Sequence, residues 1–287
     1  METKFRLLGW LDEYIFKSLN ARYDREFGNM TVIDWTSKEE QEKYLGTYFP
    51  RSVTESYCLF SEFFATHSQR FVKKEILKIL DVGCGSGGEI VGLLFAIREK
   101  LKQVKKVVVF AYDGNQVCVK YCQAILGRCA LELDFEFVFV VQVKKISSES
   151  DFEDLKPPQD FDFLVTFKTL NEFVSKRTLG GKNPYREFIQ KFIPNIKNDG
   201  IICIADITSQ VPPDGEWCPT IITEGVQDFL KDRQLFLLSP CSGTRKQFAT
   251  CHSGLPKGYD LDNSNLTWKL LGKQDWRRGL EFDDLPF

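Results

Sequence analysis

The chain has 287 residues, of which 43% are hydrophobic and 27% charged, and its formal charge is -2. This size suits one large α/β domain with an appended segment, or two small domains, and the near-neutral balance lacks the basic footprint of a duplex-binding protein. No apolar run reaches the roughly 20 residues of a membrane span, the first residues lack a secretory stretch, and nine cysteines in that setting read as free thiols of a cytoplasmic protein.

Residues 1–72 carry helical patterns rather than strands. Phe5, Leu8, Trp10, Leu11, Tyr14, Ile15 and Leu19 recur at helical spacing, and residues 52–64 read as a further helix, so the segment is expected to form a helical lid. Tyr44 to Ser52, YLGTYFPRS, gathers aromatic rings, one guanidinium and Pro50, which is expected to end one helix and start the next. Rings and a guanidinium suit a ligand that carries both a cation and a carboxylate, which makes Tyr48 and Arg51 candidate ligand contacts, with Tyr57 on the helix that follows.

Residues 77–89, LKILDVGCGSGGE, read as a buried strand, a glycine turn and a helix start. Glycine at 83, 85 and 87 lets the backbone turn sharply and come close to a ligand. Gly83, Gly85 and Gly88 also fit the dinucleotide pattern GxGxxG, which leaves an NAD(P)-dependent oxidoreductase as an alternative. Asp81 decides between them. A carboxylate two residues before the first glycine is a poor neighbour for a pyrophosphate and a good one for a cationic ligand.

The second strand, Lys106 to Tyr112, ends on Asp113 and Gly114, and residues 115–126 read as a helix. In a parallel sheet Asp81 and Asp113 then stand at adjacent strand ends, on the edge where such folds bind ligands. Asp134 to Gln142 is too rich in β-formers to be helical. Residues 147–160 are a polar connection, Phe161 to Phe167 is a fourth strand, and its tip runs into Lys168, Asn171 and Glu172. After a loop at 176–183 come a helix at 185–196, a fifth strand at 201–207, an irregular piece at 208–221 and a helix at 224–230. Residues 234–238 and 247–251 are expected to close the sheet as an antiparallel pair. The expected division is a lid at 1–72, a ligand-binding domain at 73–255 and a tail at 256–287, anchored by Trp268 and Trp276.

Ile79-Leu80-Asp81-Val82-Gly83-Cys84-Gly85-Ser86-Gly87 matches at every place the first motif of the class I S-adenosylmethionine (SAM) dependent methyltransferases, and the chain resembles that superfamily over about residues 72–251. The resemblance implies a seven-stranded, mostly parallel twisted sheet of order 3-2-1-4-5-7-6, with an antiparallel last strand and helices on both faces. It implies SAM as cofactor, with Asp81, Gly83, Cys84, Gly85 and Gly87 at the methionine end, Asp113 and Gly114 at the ribose, and Gln142 at the adenine amino group. Phe167 would stand beside the methyl group, and Lys168, Asn171, Glu172 and Tyr57 against the acceptor. Tyr44 to Ser52 distantly resembles the segment of the nicotinamide and phenylethanolamine N-methyltransferases whose tyrosines close over SAM, which implies the same of Tyr48 and Arg51. The amino-methylating motif Asn-Pro-Pro-Tyr is absent.

With two histidines, general bases are in short supply, so no catalytic residue is named. A non-catalytic SAM-binding subunit or sensor stays as a second alternative. The acidic balance and the aromatic lid favour a small-molecule acceptor over RNA or protein. Cys218, Cys241, Cys251 and His252 could form a metal set by residue type, but they lack paired CxxC spacing, and no metal is expected.

Overall fold

The computed structural model describes residues 4–29, 33–156, 158–238, 245–273 and 276. Its strands are β1 (Lys4–Arg6), β2 (Ile76–Val82), β3 (Lys106–Asp113), β4 (Glu136–Val143), β5 (Phe161–Phe167), β6 (Ile196–Asp206), β7 (Gln210–Val211), β8 (Glu216–Trp217), β9 (Phe236–Leu237), β10 (Lys246–Cys251) and β11 (Asp262–Gly272). The α-helices are α1 (Gly9–Glu13), α2 (Lys38–His67), α3 (Gly88–Lys100), α4 (Gln116–Cys129), α5 (Glu149–Glu153), α6 (Leu170–Ser175), α7 (Pro184–Phe192) and α8 (Cys218–Lys231). None of the described helices is long and apolar enough to cross a membrane.

The main sheet runs β4-β3-β2-β5-β6-β11-β10-β1, and β9 also pairs with β11. Its centre, β2 to β6, is parallel, and β11 is antiparallel to both β6 and β10. Counting β2, β3, β4, β5, β6, β10 and β11 as one to seven gives the expected order 3-2-1-4-5-7-6, with the short β1 and β9 added to it. Every residue of β5 is buried, as a central strand covered on both faces requires. Strand alternation divides the core. Leu77 and Ile79 face a cluster with α2 and α3, whereas Leu80 and Val82 face Phe188, Ile189 and Phe192 of α7 and Ile222 and Val226 of α8.

The closing strands differ from the expectation. Residues 234–238 do not form the sixth strand; only Phe236–Leu237 pairs, against Leu271 and Gly272. The sixth and seventh strands are β10 and β11, and β11 lies within what reads as a tail, because its first half, Asp262-Asn-Ser-Asn265, has the polar composition of a loop. Its second half is buried throughout and pairs with β6, whereas β10 pairs with the residues from Asp262 to Leu266. The N-terminal segment is also not purely helical, since Lys4–Arg6 pairs in parallel with Ala249–Cys251.

Pro50 does not break a helix. The 30-residue α2 runs through it, started by Ser37, whose Oγ accepts from the Glu40 amide, and by Glu39 and Glu40 in the first turn. Packing overrides the local cost: Leu45, Phe49, Val53, Phe60, Phe63 and Phe64 are all buried in the core. The helix lies hard against α3. A Cβ on Gly88 would come within 2.8 Å of the Phe49 carbonyl oxygen, and one on Gly92 within 2.4 Å of the Val53 oxygen. This contact sets α2 over the turn that precedes α3.

Candidate active site

The glycine turn between β2 and α3 is left-handed at Gly83 (φ 84°), Gly85 (φ 48°) and Gly87 (φ 84°), conformations that L side chains seldom adopt. It is tied to the end of β3. The amides of Gly83 and Cys84 donate to the Tyr112 carbonyl at 2.7 and 3.0 Å, and the Gly85 amide donates to Asp113 Oδ2 at 2.8 Å. Those three amides are therefore used within the fold. The space that glycine leaves is filled from three elements: a Cβ would meet Thr169 at Gly83, the Tyr44 hydroxyl at Gly85, and the Cys122 thiol at Gly87.

The structure brings Asp81 and Asp113 together as the strand order requires. In the β2–β3 register Asp81 stands opposite Ala111, so the two acids are at neighbouring strand ends on one face. Asp113 is well held, because its Oδ1 accepts from the Asn115 amide at 2.7 Å while Asn115 caps α4. Asp81 is fully buried, and neither of its oxygens has a hydrogen-bond partner of normal geometry among the described residues. Glu89, in the first turn of α3, is buried beside it. Burial is the main cause that pushes all three carboxyls above the ordinary range, Asp81 and Glu89 well above it; Glu89 and Asp81 also act on each other, and Asp113 raises Asp81 further.

Across the site lies the tip of β5. Lys168 is in the left-handed region at φ 55°, and its amide donates to the Ala205 carbonyl. Its ammonium pairs at 2.5 Å with Glu55 of α2, whose side chain is 1% exposed. Thr169 Oγ1 lies 3.0 Å from the Gly83 carbonyl it donates to, which ties this tip to the glycine turn. Asn171 is turned away: its amide and side chain both donate to Asp206 at the end of β6. Asp206 also accepts from Tyr185 Oη at 2.9 Å, and the Cys218 thiol lies 3.2 Å from that hydroxyl. Glu172 is exposed and paired with Lys176, though it is near enough to raise Asp113.

The remaining expected contacts divide. Tyr48 stands beside Tyr44, with ring centroids 5.3 Å apart, and its hydroxyl donates to the Phe27 carbonyl. Phe167 is core, 4% exposed, and Gly114 and Gln142 are exposed at the ends of β3 and β4. Arg51 does not reach the glycine turn. It forms a two-pronged ion pair with Asp262 at 2.6 and 2.9 Å, a partner supplied by the strand that reads as tail. Tyr57 is likewise elsewhere, donating to Glu99 near the end of α3 and packing at a tilt against Phe5, with ring centroids 4.3 Å apart. Sequence reasoning overlooked Tyr44, Glu55, Glu89, Thr169 and Asp206. Tyr44 lies inside the aromatic stretch singled out from the sequence, whereas the other four have no local signal. Of the weighed metal set, Cys241 lies outside the described residues, and no group of three or more His, Cys, Asp or Glu among the described residues is arranged to hold a metal.

No family model matches the chain, and no curated protein matches it. Solved structures do resemble it. A SAM-dependent methyltransferase from Aquifex aeolicus is 15% identical, over 77% of this chain and 97% of that one, with a TM-score of 0.40. An S-adenosylmethionine-dependent methyltransferase from Clostridium acetobutylicum is 12% identical over 76% and 92%, with a TM-score of 0.43. One from Methanosarcina mazei is 13% identical over 73% and 96%, with a TM-score of 0.44.

Proposed function

We propose that the chain binds SAM across the glycine turn and transfers its methyl group to an acceptor brought to the tip of β5, beneath a lid formed by residues 1–72. The observation that carries this reading is the pair of acids, Asp81 and Asp113, at adjacent strand ends on either side of a glycine turn. A site so rich in carboxyls favours a cationic nucleoside over a phosphorylated one. The residues fit the group: Asp81 is a buried carboxyl whose oxygens have no hydrogen-bond partner of normal geometry among the described residues, and Asp113 keeps spare lone pairs for a ribose while holding Gly85. The rival dinucleotide reading loses its third glycine, because Gly88 faces α2 rather than the sheet.

Bound SAM would supply a sulfonium-activated methyl group, already a good leaving arrangement. The chain's part is then orientation and exclusion of water. Asp113 and the glycine turn fix the nucleoside, Tyr44 walls the turn, and the Glu55–Lys168 pair clamps α2 to the β5 tip. Thr169 holds that tip against the turn, so donor and acceptor edges keep one spacing. The aromatic wall supports a small-molecule acceptor. Incubation with methyl-labelled SAM and a cell extract, followed by separation into metabolite, RNA and protein fractions, tests the reading. Label is expected in the metabolite fraction; label in RNA or protein would overturn the acceptor class, and none anywhere would overturn methyl transfer.

A further inference from the structure

We propose that the chain pairs with a second copy of itself along β4, strand to antiparallel strand about a two-fold axis through Val140, so that the two sheets become one. β4 ends the sheet: it pairs with β3 on one side and with nothing among the described residues on the other. The Glu136 amide donates to the Lys105 carbonyl and the Lys144 amide to the Asp113 carbonyl, both at 2.8 Å, so the even-numbered residues turn their N–H and C=O groups to β3. Those of Phe137, Phe139, Val141 and Val143 therefore point outward from the edge. Gln123 of α4 reaches the Val141 carbonyl at 3.2 Å, which leaves that oxygen a second lone pair.

The two edges of the sheet are built differently. β1, at the far edge, has three residues, among them Lys4 and Arg6, and a short, charged edge discourages a further strand. β4 has eight, EFVFVVQV, whose one charge is Glu136, and Val138, Val140 and Val143 stand 39%, 36% and 46% exposed. Such a strand is a template for another. What it fits is itself. In an antiparallel pair about a two-fold axis, residues directly opposite share a face, so their numbers sum to an even value and the axis falls on a residue. An axis at Val140 uses the whole strand. Phe137 then lies opposite Val143 and Phe139 opposite Val141, so the outward-pointing groups of all four meet, and Val138 lies opposite Gln142. The same register sets Glu136 opposite Lys144 of the second copy, once at each end, a pairing of opposite charges. The Glu136 side chain is 60% exposed, with Lys106 of its own chain 2.7 Å away, so its carboxylate comes to lie between two ammoniums. The pairing stands whatever ligand the glycine turn takes.

Analytical ultracentrifugation of the full chain at micromolar concentrations is expected to find a species of twice 33.1 kDa. A chain that sediments as a monomer throughout, leaving β4 to a strand of some other protein, overturns the proposal. Val140→Lys places two ammoniums face to face on the axis and is expected to give monomer; a dimer unmoved by it means that the copies meet elsewhere and overturns the assignment to β4. Oxidative cross-linking with copper phenanthroline reads the register, with the parent, whose described cysteines are all buried, as the blank. Val140→Cys sets two thiols at directly opposed positions, about 4.5 Å apart at Cα and within disulfide reach, and is expected to cross-link. Val138→Cys leaves its two thiols about 13 Å apart and is expected not to. Cross-linking of Val138→Cys and not of Val140→Cys overturns the register. Glu136→Lys is expected to weaken the dimer by about tenfold, and Glu136→Lys with Lys144→Glu to restore it; no recovery in the double variant overturns the charge pairing. If the variants do not fold, amide exchange of the parent reads the same edge. The Phe137, Phe139, Val141 and Val143 amides are expected to gain protection as concentration rises, and fast exchange at every concentration overturns the proposal.

Discussion

The contact between α2 and α3 is set by Gly92, and an alanine there offers a sharp trial of the packing. In an ordinary helix interior, Gly→Ala stabilises by roughly 0.5–1 kcal/mol, because glycine loses more conformational freedom on folding. At Gly92 the new methyl would lie 2.4 Å from the Val53 carbonyl oxygen, 2.7 Å from the Tyr57 amide nitrogen and 2.8 Å from Ser56 Cβ. Two of these are backbone atoms of a buried helix, which no rotamer change can move. Overpacking of this kind costs about 1–3 kcal/mol, toward the upper end where backbone must shift. Net of the propensity gain, Gly92→Ala is expected to destabilise by about 2 kcal/mol. Gly127, in α4, supplies the control: its nearest neighbour to a new Cβ is the Phe139 ring at 4.0 Å, so Gly127→Ala is expected to stabilise by about 0.5–1 kcal/mol. Urea unfolding followed by circular dichroism measures both. Gly92→Ala as stable as the parent would refute the close approach of the two helices, and with it the placement of Tyr44 and Glu55 over the site.

Lys168→Met leaves Glu55 buried and unpaired and is expected to cost about 3 kcal/mol, whereas Glu55→Met together with Lys168→Met should recover most of it; a double variant no better than the single would mean the pair is not coupled. His252 is stacked on Phe16 at 4.8 Å with both ring nitrogens unpartnered among the described residues, and burial pushes it down to about 4. The unfolded chain takes up the proton first, so stability is full above about pH 6.5 and falls as pH drops toward about 4, by about 3 kcal/mol in all. His252→Phe should remove that slope from a pH series of unfolding curves, and an unchanged slope would contradict the burial argument. Asp206→Leu strands the donors of Tyr185, Asn171 and Ile207 and is expected to destabilise by at least about 3 kcal/mol in the same assay; a loss under about 1 kcal/mol would mean these groups find other partners.

The parts of the site that sequence could reveal are those fixed by short-range pattern. Two apolar strands each ending in an acid, with a glycine turn and a helix between them, place Asp81 and Asp113 side by side in a parallel sheet. Tyr57 stands away from the turn for a traceable reason. Reading Pro50 as a break discards the register of α2, and only an unbroken helix puts Tyr44 and Glu55, three turns apart, on one face while Tyr57, two residues past Glu55, points to Glu99. Arg51 was assigned to a ligand because its partner, Asp262, sits 211 residues away in a strand disguised by asparagine and serine. Glu89 was invisible for another cause: an acid in the first turn of a helix is what the macrodipole favours anyway, so its burial against Asp81 leaves no mark in the sequence.

Binding of a cationic nucleoside at the glycine turn is measured most directly by calorimetry of the parent chain and Asp113→Ala with S-adenosylhomocysteine and with NADH. Expected is single-site binding of S-adenosylhomocysteine, none of NADH, and a loss of at least about tenfold, or about 1.4 kcal/mol, in Asp113→Ala. Binding of NADH instead, or an Asp113→Ala protein that holds S-adenosylhomocysteine as tightly as the parent, would contradict it.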